Sequence, residues 1–156
     1  MDFEAIELFF FAYRDFVSEP DRALARDGFG RAHHRVLHFV NRHPGLTIAE
    51  LLDILKITKQ SLNRVLKDLI DQGHVEQRSG DVDRRQRLLF LTAKGAALAG
   101  ELASLQNRRI AAAMQGLPEG AAHTIKRFLA AMVDAGEQDK VKRIVAEGAR
   151  APDGDR

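Results

Sequence analysis

Gln60, Asn63, Arg64 and Lys67 recur at helical spacing, and they are long donors and amides with no acid among them. Arginine and lysine donate to guanine O6 and N7, asparagine and glutamine pair with adenine, and lysine also takes phosphates. Thr58, Lys59 and Ser61 open the same segment. Leu62, Val65, Leu66 and Leu69 repeat the spacing two residues out of phase, roughly 200° around a helix, so the apolar row faces away from the donors. A second group follows at Arg84, Arg85 and Arg87, beside the turn residues Ser79-Gly80-Asp81-Val82-Asp83. Arginines on a ribbon tip are long enough to enter a minor groove, where negative potential attracts them. Alone, the helix reads as an ordinary amphipathic surface and the arginines as a solvated turn. Their neighbours decide between the readings.

A third group is His33, His34 and His38. His34 and His38 stand at i,i+4, a spacing that can present two imidazoles to one metal. No cysteine, no glutamate in the zinc-protease arrangement and no nearby carboxylate completes a ligand set. The histidines read instead as plain surface and core residues, or as the polar lining of a ligand cleft formed by Phe10, Tyr13, His33, His34 and Leu37. A catalytic site would need a nucleophile, a base and an orienting group converging, and no serine or carboxylate stands at a readable spacing from them. Neither catalytic residues nor a cofactor are expected.

Thr58 is a suitable N-cap for the donor-bearing helix, read as 58–72, and Gly73 supplies the left-handed position after it. Upstream, Thr47 and Glu50 have the spacing of a capping box, and Ile48, Leu51, Leu52 and Leu55 give the helix between them one packing face. Only Lys56-Ile57 separates the two helices, which is a helix-turn-helix. His74–Arg78 and Arg87–Leu91 read as strands of a hairpin, a wing over 74–91 with the arginines at its tip.

The flanks are helical. Asp2–Ser18 carries the stripe Phe3, Ile6, Phe10, Tyr13 and Val17, too wide an apolar surface for one neighbour to cover; Pro20 is expected to stop it. A second helix spans Gly30 to Arg42. Thr92 caps a long helix, Ala93–Met114, with Leu98, Leu102 and Leu105 as its stripe. Pro118 is expected in the first turn of a last helix bearing Ile125, Phe128, Leu129, Met132 and Val133, with a further turn or two at Val141–Val145. The fold expected is mainly α with a small β-hairpin wing. Residues 1–28 form an N-terminal dimerisation helix, 29–92 a winged helix-turn-helix, 93–148 C-terminal dimerisation helices and 149–156 a flexible tail.

The chain's 156 residues suit one domain, or one domain with dimerisation arms, and its net charge is only +2. Bulk charge therefore does not point to nucleic acid; local distribution does. Lys56 to Lys67 holds four cations and no acid, and Arg84 to Lys94 repeats that count. Cysteine is absent, which excludes disulfides, thiolate metal sites and cysteine redox sensing. No apolar run approaches the roughly 20 residues of a membrane span. The acidic start MDFEAIELFF lacks the positive region of a signal peptide, so a cytoplasmic location is expected.

Several strings resemble the multiple-antibiotic-resistance regulator (MarR) family: His43-Pro44-Gly45-Leu46-Thr47-Ile48-Ala49-Glu50-Leu51-Leu52, Ile57-Thr58-Lys59-Gln60-Ser61-Leu62 and Asp68-Leu69-Ile70-Asp71-Gln72-Gly73. The wing string Gly80-Asp81-Val82-Asp83-Arg84-Arg85 and the following Leu91-Thr92-Ala93-Lys94-Gly95 complete the resemblance. It implies a homodimer whose first and last helices interlock, bound to double-stranded DNA at a palindromic operator, usually as a repressor. It also implies release by a small aromatic or anionic effector. By position, Arg85 is similar to the family's minor-groove arginine and Asp83 to its orienting acid; Lys59, Gln60, Ser61, Asn63 and Arg64 resemble its base-reading and phosphate-gripping residues. The chain departs from the family in having Gly30 and His33 where members often have a threonine and a glutamine. The alternatives kept open are a winged-helix protein-interaction module and a metal-responsive regulator using His33, His34 and His38.

Overall fold

The computed structural model describes residues 1–150, the last of them by its backbone. Of the expected tail at 149–156, Ala149 and Arg150 belong to the last helix, and 151–156 lie outside the described residues. The elements run α1 (Phe3–Ala25), α2 (Arg31–Arg42), β1 (Leu46–Thr47), α3 (Ile48–Leu55), α4 (Lys59–Asp71), β2 (Val75–Ser79), β3 (Arg87–Leu91), α5 (Ala93–Met114), α6 (Ala121–Ala131) and α7 (Gln138–Arg150). They divide into two compact units, Met1–Arg109 and Ile110–Arg156.

In the first unit the core is built from the apolar rows of α2, α4 and α5, with Leu51 from α3 and Leu89 from β3. Leu62, Val65, Leu66 and Leu69 are all buried there, which leaves the opposite side of α4 to solvent. The sheet has three strands in the order β1-β3-β2, all antiparallel, rather than the two of a hairpin. The extra strand is Leu46–Thr47, paired with Leu89 and Leu88. Gly45, at φ +87°, turns the chain into it and donates its N–H to the Leu89 carbonyl at 2.8 Å. Two residues carry no readable alternation, so this strand had no sequence signal.

Pro20 does not stop α1, which continues to Ala25. A proline inside a helix loses one backbone hydrogen bond. Here Val17, Pro20 and Leu24 form the buried row of α1, and that packing outweighs the lost bond. In the second unit Pro118 also differs from expectation. It lies ahead of α6, in a turn where its carbonyl accepts from the Ala121 N–H at 3.1 Å, and Gly120 at φ +81° is the N-cap. The C-terminal region is two helices, α7 being 13 residues long. Between them the Glu137 N–H donates to the Asp134 carbonyl at 2.8 Å and the Gln138 amide to the Val133 carbonyl at 3.0 Å. Asp134 and Gly136 supply the turn chemistry that separates the helices.

The start of α5 is locked to the end of α4. Thr92 donates its hydroxyl to the Gly73 carbonyl at 2.6 Å and accepts the Gly95 N–H at 3.1 Å. Gly95 passes so near His74 that an added Cβ would lie 2.0 Å from the His74 carbonyl oxygen. His74 itself is 2% exposed, its ring edge-on to Phe29 at 5.2 Å and its Nδ1 without a hydrogen-bond partner among the described residues. Burial, and secondarily the Lys94 charge, lowers its pKa from the ordinary histidine value. A histidine that resists protonation when folded takes up a proton more readily when unfolded, so unfolding is favoured by acid. Stability should be at its full value above the unfolded histidine pKa of about 6.5 and fall as pH drops below it. Melting curves at pH 7.5 and 5.5 should show this loss, and His74→Leu should diminish it. An equal loss in the variant would rule out His74 as a source.

Candidate nucleic-acid interface

The donor face depends on where α4 starts. Lys56, the only non-glycine residue at positive φ among those described (+52°), turns the chain sharply after α3, and its N–H donates to the Leu52 carbonyl at 2.9 Å. Thr47 accepts the Glu50 N–H at 3.1 Å, while the Glu50 carboxylate accepts the Thr47 N–H at 2.8 Å, closing the expected capping box at the head of α3. At the head of α4, Thr58 Oγ1 accepts the Ser61 N–H at 3.1 Å and donates to Ser61 Oγ at 2.9 Å. These two hydroxyls are therefore already committed to holding the first turn.

Lys59, Gln60, Asn63, Arg64 and Lys67 are exposed along that helix. Lys67 is ion-paired with Asp71, one turn on, which shares its charge. Lys59 and Arg64 enter no ion pair among the described residues. Between α4 and β2 lies an open groove of about 320 Å³, with Asn63, Lys67 and Asp71 on one side and Gln77 on the other. Gln77 was not singled out by the sequence reading. Alternation gives it no signal, since Gln77 shares the strand face of buried Val75 and yet is exposed.

The wing follows a continuous register from Val75 opposite Leu91 to Ser79 opposite Arg87. Its tip is closed by three bonds. The Gly80 N–H donates to the Gln86 carbonyl at 3.1 Å, the Gln86 N–H to the Asp83 carbonyl at 3.1 Å and the Arg85 N–H to the Asp83 carboxylate at 3.0 Å. Asp83 thus shapes the turn that presents Arg84 and Arg85, both exposed and in no ion pair among the described residues. Arg87 donates to Ser79 Oγ at 3.0 Å and stays at the base of the tip. The donor face and the arginine tip belong to the same compact unit.

A separate cleft of about 270 Å³ lies between α1, α2 and α5, with Tyr13, Arg31, His34, Arg35 and His38 among its lining groups. Arg35 donates to the Tyr13 hydroxyl at 3.1 Å, and Arg31 to the Asp21 carboxylate at 3.0 Å. Burial first, then the neighbouring His38, lowers the pKa of His34, so it lines the cleft as a neutral imidazole. Of the five residues expected to line this cleft, only Tyr13 and His34 do. Leu37 is wholly buried in the core, Phe10 is exposed further along α1, and His33 turns instead toward α4. Adjacent residues on a helix point about 100° apart, which separates His33 from His34. Among the described residues no group of three or more histidines and carboxylates is placed to hold a metal.

The MarR family model matches residues 27–86, the stretch holding the helix-turn-helix and wing tip. The HTH-type transcriptional regulator PetP of Rhodobacter capsulatus is 50% identical over 131 residues, 84% of this chain and 79% of that protein. The chain belongs to the MarR family. Solved structures similar to this MarR-family chain share its winged-helix architecture at low identity. MepR of S. aureus in DNA-binding conformation has a TM-score of 0.72 at 19% identity, covering 83% of this chain and 96% of that one. A mutant MarR from E. coli complexed with operator DNA has a TM-score of 0.63 at 22% identity, covering 82% and 92%.

Proposed function

We propose that this MarR-family chain is a sequence-specific DNA-binding transcriptional regulator, acting as a homodimeric repressor on a palindromic operator. The observation that carries the reading is the pairing, in one unit, of an exposed face bearing Lys59, Gln60, Asn63 and Arg64 with an exposed Arg84-Arg85 tip shaped by Asp83. Helix α4 would read the major groove and the tip the adjacent minor groove. The operator complex of the E. coli relative supports that use of the fold. A protein-interaction module would not require the stretch 59–67 to be free of acids, and the reading assigns no catalytic step to the chain.

The dimer is supported by apolar side chains left exposed within one chain. Phe3, Ile6, Phe9 and Phe10 of α1 are 47–63% exposed, and α6 buries none of its residues. A soluble monomer rarely leaves contiguous apolar surface of that kind uncovered. Duplexes enriched by the protein from a randomised pool should be two-fold related, with half-sites about 34–36 Å apart. Fluorescence titrations should show affinity falling with salt and exceeding that for a scrambled duplex. Equal affinity for both duplexes at every salt concentration would contradict sequence-specific function.

The effector reading rests on the cleft at Tyr13, Arg31, His34 and Arg35. Two guanidiniums, a hydroxyl and a neutral imidazole over an aromatic ring suit a small aromatic carboxylate. Such compounds should raise the melting temperature and lower DNA affinity, and Arg35→Ala should abolish both effects. A panel producing no thermal shift would remove the cleft from the mechanism.

A further inference from the structure

One contact joins α2 to the helix that bears the donor face. His33 Nε2 lies 2.9 Å from Asp68 Oδ2, and its Nδ1 lies 3.0 Å from the Gly30 nitrogen. Gly30 offers only an N–H, so Nδ1 must accept, and in the neutral ring the proton lies on Nε2, directed at the Asp68 carboxylate. The two bonds together select one tautomer. The Phe29 ring stacks on the imidazole at 4.8 Å and 19°, which fixes its plane. The His33 side chain is only 13% exposed against 45% for Asp68, so a mostly buried, preset donor grips a carboxylate at the rim of α4.

We infer that His33 is a positioning residue for DNA recognition, setting the aim of α4 through Asp68 without touching DNA. Asp68 is one residue beyond Lys67 and one turn beyond Arg64, so the bond acts on the half of α4 that carries both. The same helix α2 presents His34 to the cleft, about 100° around from His33. One rigid element therefore borders both the cleft and the restraint on α4. The inference rests on the DNA-binding reading.

The experiment measures, for duplex enriched by the wild-type protein and for a scrambled duplex, the ratio of affinities. Removing the Asp68 charge changes binding to both duplexes alike, so the ratio isolates aim from charge. His33→Ala is expected to lower the ratio roughly tenfold. Asp68→Ala, at a partly exposed site, should lower it by the same factor. The double variant should lose no more than either single one, since both remove one bond. His33→Gln, which keeps an acceptor and a donor, should restore the ratio to within about twofold of wild type. Loss of stability alone would not alter the affinity of molecules that remain folded, and circular dichroism at the assay temperature confirms that they do. An unchanged ratio in His33→Ala or Asp68→Ala, losses that multiply in the double variant, or failure of His33→Gln to restore the ratio overturns the inference. A wild-type ratio of one overturns the DNA-binding reading itself, and this inference with it.

Discussion

Arg85→Ala is expected to weaken operator binding by about 10- to 100-fold, the range for a specific arginine contact, with the fold unchanged. The side chain is exposed and in no ion pair among the described residues, so its loss leaves no orphaned partner. Its backbone N–H still donates to Asp83, so the turn survives the substitution. A charge lost at a phosphate-lined groove should also reduce the slope of log affinity against log salt by about one. Asp83→Ala should act on the same contact by releasing the turn. Titrations on the enriched duplex, beside circular dichroism of each variant, would measure both. Unchanged affinity and slope in Arg85→Ala would show that the wing does not reach DNA.

Gly95→Ala is expected to be strongly destabilising. The new Cβ would sit 2.0 Å from a backbone carbonyl oxygen, which cannot rotate aside. The head of α5 would have to retreat from His74, straining the bonds through which Thr92 ties Gly73 to Gly95. Overpacking of this kind costs about 1–3 kcal/mol, and more where backbone must move. Gly100, in the same helix with nothing within 4 Å of an added Cβ, is the control. Gly100→Ala should stabilise by about 0.5–1 kcal/mol through helix propensity. Urea denaturation should therefore give shifts of opposite sign, and a Gly95→Ala variant as stable as wild type would show the approach to be looser than described.

The contrast between these glycines marks what the sequence could and could not reveal. Helix α4 was legible because four leucine and valine positions repeat with the helical period and Thr58 stands where a cap belongs. The wing was legible because turn residues separate a short segment compatible with a strand from the apolar run Leu88–Leu91. The reason for Gly95 was not, since it lies in the path of a neighbouring segment and leaves no mark on periodicity. Pro20 misled for a related reason: local propensity ends a helix there, and burial beside Val17 and Leu24 extends it. His33 and Asp68 are 35 residues apart, and nothing in their spacing pairs them. Leu37 was expected at the cleft because it is near it in sequence, but its side chain takes the core side of α2.

The two-residue strand β1 has a mechanical consequence. Thr47 pairs with Leu88 in the wing and also caps α3, so one residue belongs to the sheet and to the helix-turn-helix together. The base of the ribbon and the reading helix are thereby welded into one part, and the tip from Gly80 to Gln86 projects from it. In the DNA-binding reading, such a tool has a preset reach between its two points of contact. Any mismatch between that reach and the spacing of neighbouring grooves must be taken up by bending or narrowing the duplex. Sequences that deform easily would then be favoured at base pairs that no side chain touches.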